Sequence, residues 1–167
     1  MRYAQIRSTD ISNGEGIGVS LFVQGCPFHC KGCFNPETWD FNGGKQWTSD
    51  KLNEFMLLAG QPFVKRISIL GGEPLCLQNC YEIFRLCMEL KNKYSDKQIW
   101  IYSGYTYEEL LNSRERFKPL LCANILVDGR YEENERDLSL AFRGSKNQRI
   151  IDVQKSIKRG KVVLYME

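Results

Sequence analysis

Apolar positions along the chain fall into short runs separated by stretches with helical spacing. Val19 to Gln24 is the first run, closed by Gly25, and reads as a strand. Arg66 to Leu70, Gln98 to Tyr102 and Ala123 to Val127 are three more of the same kind. Between the first two runs, Leu52, Phe55, Met56 and Ala59 recur at helical spacing behind Thr48 or Ser49, either of which can cap. That pattern predicts a helix ending near Ala59. A longer amphipathic helix is expected from about Asn79 to Lys93, and a shorter one from about Tyr107 to Ser113. Arg149 to Val153 and Lys161 to Tyr165 are further strand candidates, whereas Arg2 to Asp10 shows no clear period and Pro36 to Trp47 reads as irregular.

Strands alternating with helices imply parallel pairing through right-handed crossovers. A full eight-unit barrel takes roughly 250 residues, so the 167 residues of this chain can build only part of one. The predicted fold class is α/β, an open partial (β/α) barrel with mainly parallel strands. Ligands in such folds gather at the C-terminal ends of the strands. The four exits here are Gly25-Cys26, Gly71-Gly72-Glu73-Pro74, Ser103-Gly104-Tyr105 and Asp128-Gly129-Arg130. They would share one face.

Length and the lack of a linker suggest one domain over residues 1–167. Met1 to Asp10 lacks the apolar stretch of a signal peptide. No apolar run approaches the ~18 residues of a membrane span. A cytoplasmic protein without a membrane partner is therefore expected. A net charge of +3 does not call for nucleic acid. Six basic residues gather between Lys146 and Lys161 against one acid, Asp152, and read as a solvated surface. Seven cysteines, an odd number, argue against a disulfide framework and for reduced thiols.

Three of those cysteines give the chain its chemistry. Cys26, Cys30 and Cys33 form a C-x3-C-x2-C run directly after the first strand. A structural zinc site closes four ligands, and ferredoxin clusters also take four. Three thiolates on one loop instead suit a four-iron cluster with one iron open to another molecule, and an open position is what catalytic sites keep. The same loop holds the only histidine, His29, which reads as a supporting or exposed residue rather than a ligand. Cys76, Cys80 and Cys87, at offsets of four and seven, could form a second cluster with Cys122. Buried packing is the expected role, because cysteine is among the most buried residue types.

The loop and its surroundings resemble the radical S-adenosylmethionine (SAM) superfamily. Within it, the chain is similar to the small activating proteins of anaerobic (class III) ribonucleoside-triphosphate reductase. Matching segments are Asn13-Gly-Glu-Gly16, Ser20 to Cys26, Gly32-Cys-Phe-Asn35, Ser68 to Leu75, Ile99 to Tyr105, Leu126 to Gly129 and Arg143 to Gln148. The resemblance implies one [4Fe-4S] cluster on Cys26, Cys30 and Cys33, with SAM chelating the fourth iron. It further implies reductive cleavage of SAM to a 5′-deoxyadenosyl radical, which takes a hydrogen atom from a glycine of the large reductase. A low-potential donor such as flavodoxin or ferredoxin would supply the electron.

Gly71, Gly72 and Glu73 correspond to the superfamily's SAM motif. The glycines would allow close backbone approach and Glu73 would accept from the SAM amino group. Gly32 and Phe34 are expected near the adenine, although many superfamily members carry an aromatic where this chain has Gly32. Glu15 stands where proline is frequent, and Gly18 where arginine is common. Asp128 and the Arg143 to Gln148 segment match the pattern without an assigned role. Other readings are an activating enzyme of the pyruvate formate-lyase type, a small-molecule radical SAM enzyme, and a non-enzymatic electron carrier or zinc module.

Overall fold

The computed structural model describes residues 1–167. One eight-stranded sheet runs through the chain, with strands in the order β3-β1-β2-β4-β5-β6-β7-β8. Its centre is four strands, β2 (Gly18–Val23), β4 (Arg66–Gly71), β5 (Gln98–Ser103) and β6 (Ile125–Asp128), each parallel to its neighbour. These are the four strands expected from the apolar runs, shifted by one or two residues at their ends. Antiparallel strands extend both margins: β1 (Arg2–Asp10) and β3 (Lys45–Gln46) on one side, β7 (Arg149–Asp152) and β8 (Leu164–Met166) on the other. The two edge strands β3 and β8 do not pair, so the sheet is an open partial barrel.

β1 is the element that periodicity did not reveal. Its register against β2 slips between Tyr3 and Gln5 and again between Arg7 and Asp10. Each slip inverts the inside–outside alternation, so no continuous period of two survives in the sequence. The two-residue strand β3 falls within a stretch that reads as irregular, and is too short to carry a pattern.

Five helices accompany the sheet. Thr48 caps α1 (Ser49–Ala59), its side chain accepting the Lys51 N–H at 3.2 Å. α2 (Cys80–Lys93) begins one residue later than expected. Asn79, its N-cap residue, aims its amide elsewhere. The expected helix from Tyr107 is two: α3 (Tyr107–Leu111), closed at its start by a reciprocal Thr106–Glu109 capping box, and α4 (Arg114–Phe117). The last helix is α5 (Val153–Arg159), capped by Asp152.

Alternation along the strands divides the buried residues between two faces. Val19, Leu21, Ile67, Ile69, Ile99, Ile101 and Leu126 join Phe55, Ile83, Leu86 and Leu90 of the helices in the main core. The opposite face carries Trp100, Ile125, Val127 and Ile150, packed against Phe142 and Tyr165. None of the five helices is long and apolar enough to cross a membrane.

The lower end of that inner face is polar. Arg66 is fully buried, and one of its terminal nitrogens, Nη2, donates to the Asp10 carbonyl at 2.8 Å and to Asp10 Oδ1 at 3.2 Å. Its other terminal nitrogen donates to Ser68 Oγ at 2.7 Å. The Asp10 carboxylate also accepts from Ser20 Oγ and from Asn13 and Ser12. Burial works to raise the Asp10 carboxyl, but these hydrogen bonds outweigh it and hold the group below its ordinary range. Gly18 is paired with Arg66 in register, and a Cβ there would meet the guanidinium at 2.5 Å. Arg66 therefore fills the space beside Gly18, the position where the resemblance would have an arginine.

Candidate functional site

The four central strands end at one face, where a cavity of about 620 Å³ opens. Cys26, Cys30 and Cys33 line it, as do Gly71, Gly72, Glu73 and Phe34. The strand exits that the sequence placed together are therefore together. All three thiols are half-buried and free of disulfides.

Local hydrogen bonds fix the base of the cysteine loop. Gly25 turns the chain at φ +95° and its N–H donates to the Thr38 carbonyl at 2.7 Å; the Cys26 N–H donates to the Trp39 carbonyl at 3.1 Å. A Cβ on Gly25 would meet the Phe41 ring at 2.3 Å, so glycine is required there. Gln24 reaches the same segment, its amide donating to the carbonyls of Glu37 and Asp40. The Pro36 to Trp47 stretch is irregular in sequence because its backbone groups are spent on holding this loop. His29, exposed at φ +48°, stacks on Trp39 with ring centres 4.6 Å apart, outside the thiol set.

Gly71 and Gly72 serve the protein before any ligand. A Cβ on Gly71, at φ +102°, would meet Phe22 Cα at 2.9 Å, and one on Gly72 would meet the Gly25 carbonyl oxygen at 2.5 Å. The Glu73 N–H donates to that same carbonyl at 2.8 Å. These glycines let the exits of β2 and β4 lie against each other. Asn79 locks the junction, its amide donating to the carbonyls of Gln24 and Glu73, both at 3.1 Å.

Glu73 is buried, and its carboxylate is largely used. Oε1 accepts from the Leu75 N–H at 2.9 Å and Ser103 Oγ at 2.8 Å, while Oε2 accepts from the Gly104 N–H at 2.7 Å. A carboxylate has about four acceptor positions, so roughly one is left to face the cavity. Burial pushes the Glu73 carboxyl up to about 7 from its ordinary 4.5, with the three donors pulling the other way. The folded chain thus holds this proton more tightly than the unfolded chain does. Stability should fall as pH rises from about 4.5 through about 7. Glu73→Gln should flatten that slope in denaturant titrations at pH 5, 6, 7 and 8. It should also cost about 1–3 kcal/mol, because an amide NH2 would face one of the three donors.

Of the two residues expected near an adenine, the structure brings one to the cavity. Phe34 is at its rim, half-exposed, packed on Tyr131 at 5.1 Å and under Gly144. Gly32 does not line the cavity; it adopts φ +74° on the exposed side, where a Cβ would meet Glu133 Oε1 at 2.8 Å. Lys31 pairs with the same Glu133 at 3.4 Å. Arg7, Phe28, Tyr131 and Phe142 are among the lining residues the sequence did not single out, and Arg130 joins them from the exit of β6. The Arg130 guanidinium lies 4.3 Å above the Phe28 ring, which packs edge-on against Tyr105. The position of Phe28 inside the cysteine loop, and of Arg130 directly after a strand exit, were the available signals.

Asp128 and the segment after it are tied into the scaffold. The Asp128 carboxylate accepts from Arg149 Nε at 2.9 Å and from the Tyr107 N–H at 2.7 Å, joining β6, β7 and the start of α3. Gln148 accepts from the Gly144 and Ser145 N–H groups and donates to the Gly129 carbonyl at 2.9 Å, folding the loop back over the cavity. Cys76, Cys80, Cys87 and Cys122 are all buried, and the last two belong to the main core. Cys122 Sγ touches Met88 Sδ at 3.3 Å.

The residues present fit an iron–sulfur cluster by their chemistry, three thiols on one loop that all line the cavity. Burial pushes the Cys26 thiol up to about 11, against hydrogen bonds from the Phe28 and His29 N–H groups. Metal coordination deprotonates such a thiol outright. The donor set, three soft sulfur ligands on one loop beside a cavity, is of the kind that selects iron–sulfur chemistry.

Comparison with known proteins agrees. The profile of a 4Fe-4S single cluster domain matches residues 12–151. The anaerobic ribonucleoside-triphosphate reductase-activating protein of Escherichia coli K12 is 37% identical over 150 residues, covering 89% of this chain and 96% of the relative. Its counterpart in Vibrio cholerae is 35% identical over the same shares. That of Enterobacteria phage T4 is 34% identical, over 90% of this chain and 93% of the relative. With a 4Fe-4S single cluster domain and this similarity along nearly its whole length, the chain belongs to the family of anaerobic ribonucleoside-triphosphate reductase-activating proteins.

Proposed function

We propose that this chain is a single-domain radical SAM activase, residues 1–167, that installs a glycyl radical on the large subunit of an anaerobic ribonucleoside-triphosphate reductase. The observation that carries it is the meeting of Cys26, Cys30 and Cys33 with Gly71, Gly72 and Glu73 around one cavity. The three thiolates would hold three irons of a [4Fe-4S] cluster, leaving the fourth for the amino acid end of SAM. When bound, the cluster and SAM supply one-electron reductive cleavage to a 5′-deoxyadenosyl radical.

The chain's own residues bind, orient and shield. The unused acceptor position of Glu73 would take a hydrogen bond from the SAM ammonium, beside the backbone of Gly71 and Gly72. Phe34 and Tyr131 would cover the cysteine loop on its solvent side. Arg130 places positive charge beside Cys30, offsetting part of the thiolate charge. The electron would come from a low-potential donor such as flavodoxin or ferredoxin, in the cytoplasm. An electron carrier would have no use for a cavity of about 620 Å³ beside its cluster, which disfavours the non-enzymatic reading.

The test is anaerobic. Protein reconstituted with iron and sulfide should hold about four irons per chain, in line with one cluster. Mixed with reductant, SAM and the large reductase subunit, it should release 5′-deoxyadenosine while a glycyl radical appears by electron paramagnetic resonance. SAM cleavage with no radical on that subunit would remove the reductase-activator reading. Zinc without iron in protein isolated anaerobically would remove the enzyme reading altogether.

A further inference from the structure

The base and the body of the cysteine loop are tied to the barrel in different ways. At the base the ties are backbone hydrogen bonds, from Gly25 to Thr38, from Cys26 to Trp39 and from Glu73 to Gly25. No backbone–backbone hydrogen bond joins residues 26–34 to the exits of β5 and β6. Side chains make that crossing instead. Phe28, midway between Cys26 and Cys30, reaches both exits.

The Phe28 ring is held on several sides. A Cβ on Gly104 would meet it at 2.5 Å, so the ring lies directly on the Gly104 backbone. Tyr105 meets it edge-on with ring centres 4.7 Å apart, and the Arg116 guanidinium of α4 lies 4.7 Å above Tyr105 in turn. From the exit of β6, the Arg130 guanidinium covers the Phe28 ring at 4.3 Å. The next residue, His29, faces the other way and stacks on Trp39. Successive residues thus brace the loop from inside and outside.

Gly104 is also where Glu73 is held. The Gly104 N–H donates to Glu73 Oε2 at 2.7 Å, and the preceding Ser103 donates through Oγ to Oε1 at 2.8 Å. The residue beneath the Phe28 ring is therefore one that orients the carboxylate. We infer that Phe28 is a positioning residue that sets the register between the cysteine ligands and the Glu73 carboxylate. This rests on the activase reading above, in which one SAM molecule must reach the open iron and Glu73 at once. Backbone ties fix where the loop starts; Cys30, two residues beyond Phe28, follows the angle at which the ring seats. Misplacement by about 1 Å can cost roughly a hundredfold in rate, so a bulky, well-seated ring suits the task. Phe28 need not touch the reacting atoms.

The experiment compares wild type, Phe28→Ala and Phe28→Leu after anaerobic reconstitution with iron and sulfide. Phe28→Ala should still hold about four irons per chain, because all three thiols remain. Without SAM, its reduced cluster should give the wild-type electron paramagnetic resonance signal. The change that SAM causes in that signal should need about tenfold more SAM or beyond, as for a lost hydrogen bond to a charged group. Phe28→Leu keeps an apolar wedge on Gly104 and should fall between the two. Gly104→Ala should push the ring aside and weaken SAM in the same way, its methyl standing 3.4 Å from Glu73 Oε2. Combined with Phe28→Ala it should add nothing, because it acts through the ring.

A wild-type SAM response in Phe28→Ala overturns the register. So does loss of iron in that variant, which would make the ring a support for the cluster alone, and so do additive losses in the double variant. Failure of SAM to alter the wild-type signal overturns the proposed function, and the register with it.

Discussion

Replacing any one of Cys26, Cys30 or Cys33 with alanine is expected to abolish SAM cleavage and glycyl-radical formation together, with the iron content falling well below four per chain. Each thiolate would hold a separate iron, and the chain offers no substitute nearby. His29 is stacked on Trp39, and the other four cysteines are buried elsewhere. Cys80→Ala is the control. The residue is 3% exposed and its thiol makes one hydrogen bond, to the Leu77 carbonyl at 3.8 Å, so both activities should persist with a modest loss of stability. The two groups of variants separate on iron analysis, 5′-deoxyadenosine release and the radical signal. A Cys30→Ala protein that still cleaved SAM would remove the three-thiolate assignment.

Arg66→Met should cost about 3–5 kcal/mol, the loss seen when one partner of a buried ion pair is removed. A domain of ordinary stability has only about 5–15 kcal/mol to lose, so urea unfolding should shift to much lower concentration. Methionine replaces most of the apolar stem but leaves Asp10 with only the half-exposed Arg7, 3.8 Å away, as counter-charge. Gly18 and Arg66 are register partners, which makes a sharper test available. Arg66→Gly should be severely destabilising, and Gly18→Arg should clash with the guanidinium already present. The double variant should be more stable than either single change, because removing the Arg66 side chain clears the space that Gly18→Arg needs. Additive losses would show that the two positions do not exchange the same group.

The parallel centre of the fold was legible because its strands are buried on both faces and read as apolar runs, unbroken in Ile125 to Val127 and interrupted only by the buried Ser68 in Ile67 to Leu70. The exits were legible for a related reason: glycine, cysteine and acidic residues interrupt those runs where the chain must turn. β1 was hidden by two register slips, and α4 by its length of four residues. At the site, the cysteine spacing carried the most information, since ligands on one loop are close in sequence as well as in space. The reason for Gly71 and Gly72 was less visible. A sequence shows that backbone comes close to something, but not that the something is the Gly25 carbonyl.

The contact between Gly32 and Glu133 sets a rule for recombining such proteins. The cysteine loop and the segment after β6 touch where a Cβ on Gly32 would press the Glu133 carboxylate aside, where Lys31 meets Glu133, and where Phe34 lies under Gly144. A loop bearing an aromatic residue at position 32 would have to displace the Glu133 side chain and hold a left-handed backbone at φ +74°, so it should graft poorly here. In a hybrid built from two relatives, these segments behave as one inheritable block, although about a hundred residues of chain separate them. Exchanging either alone should yield a protein whose sheet folds and whose cysteine loop does not seat.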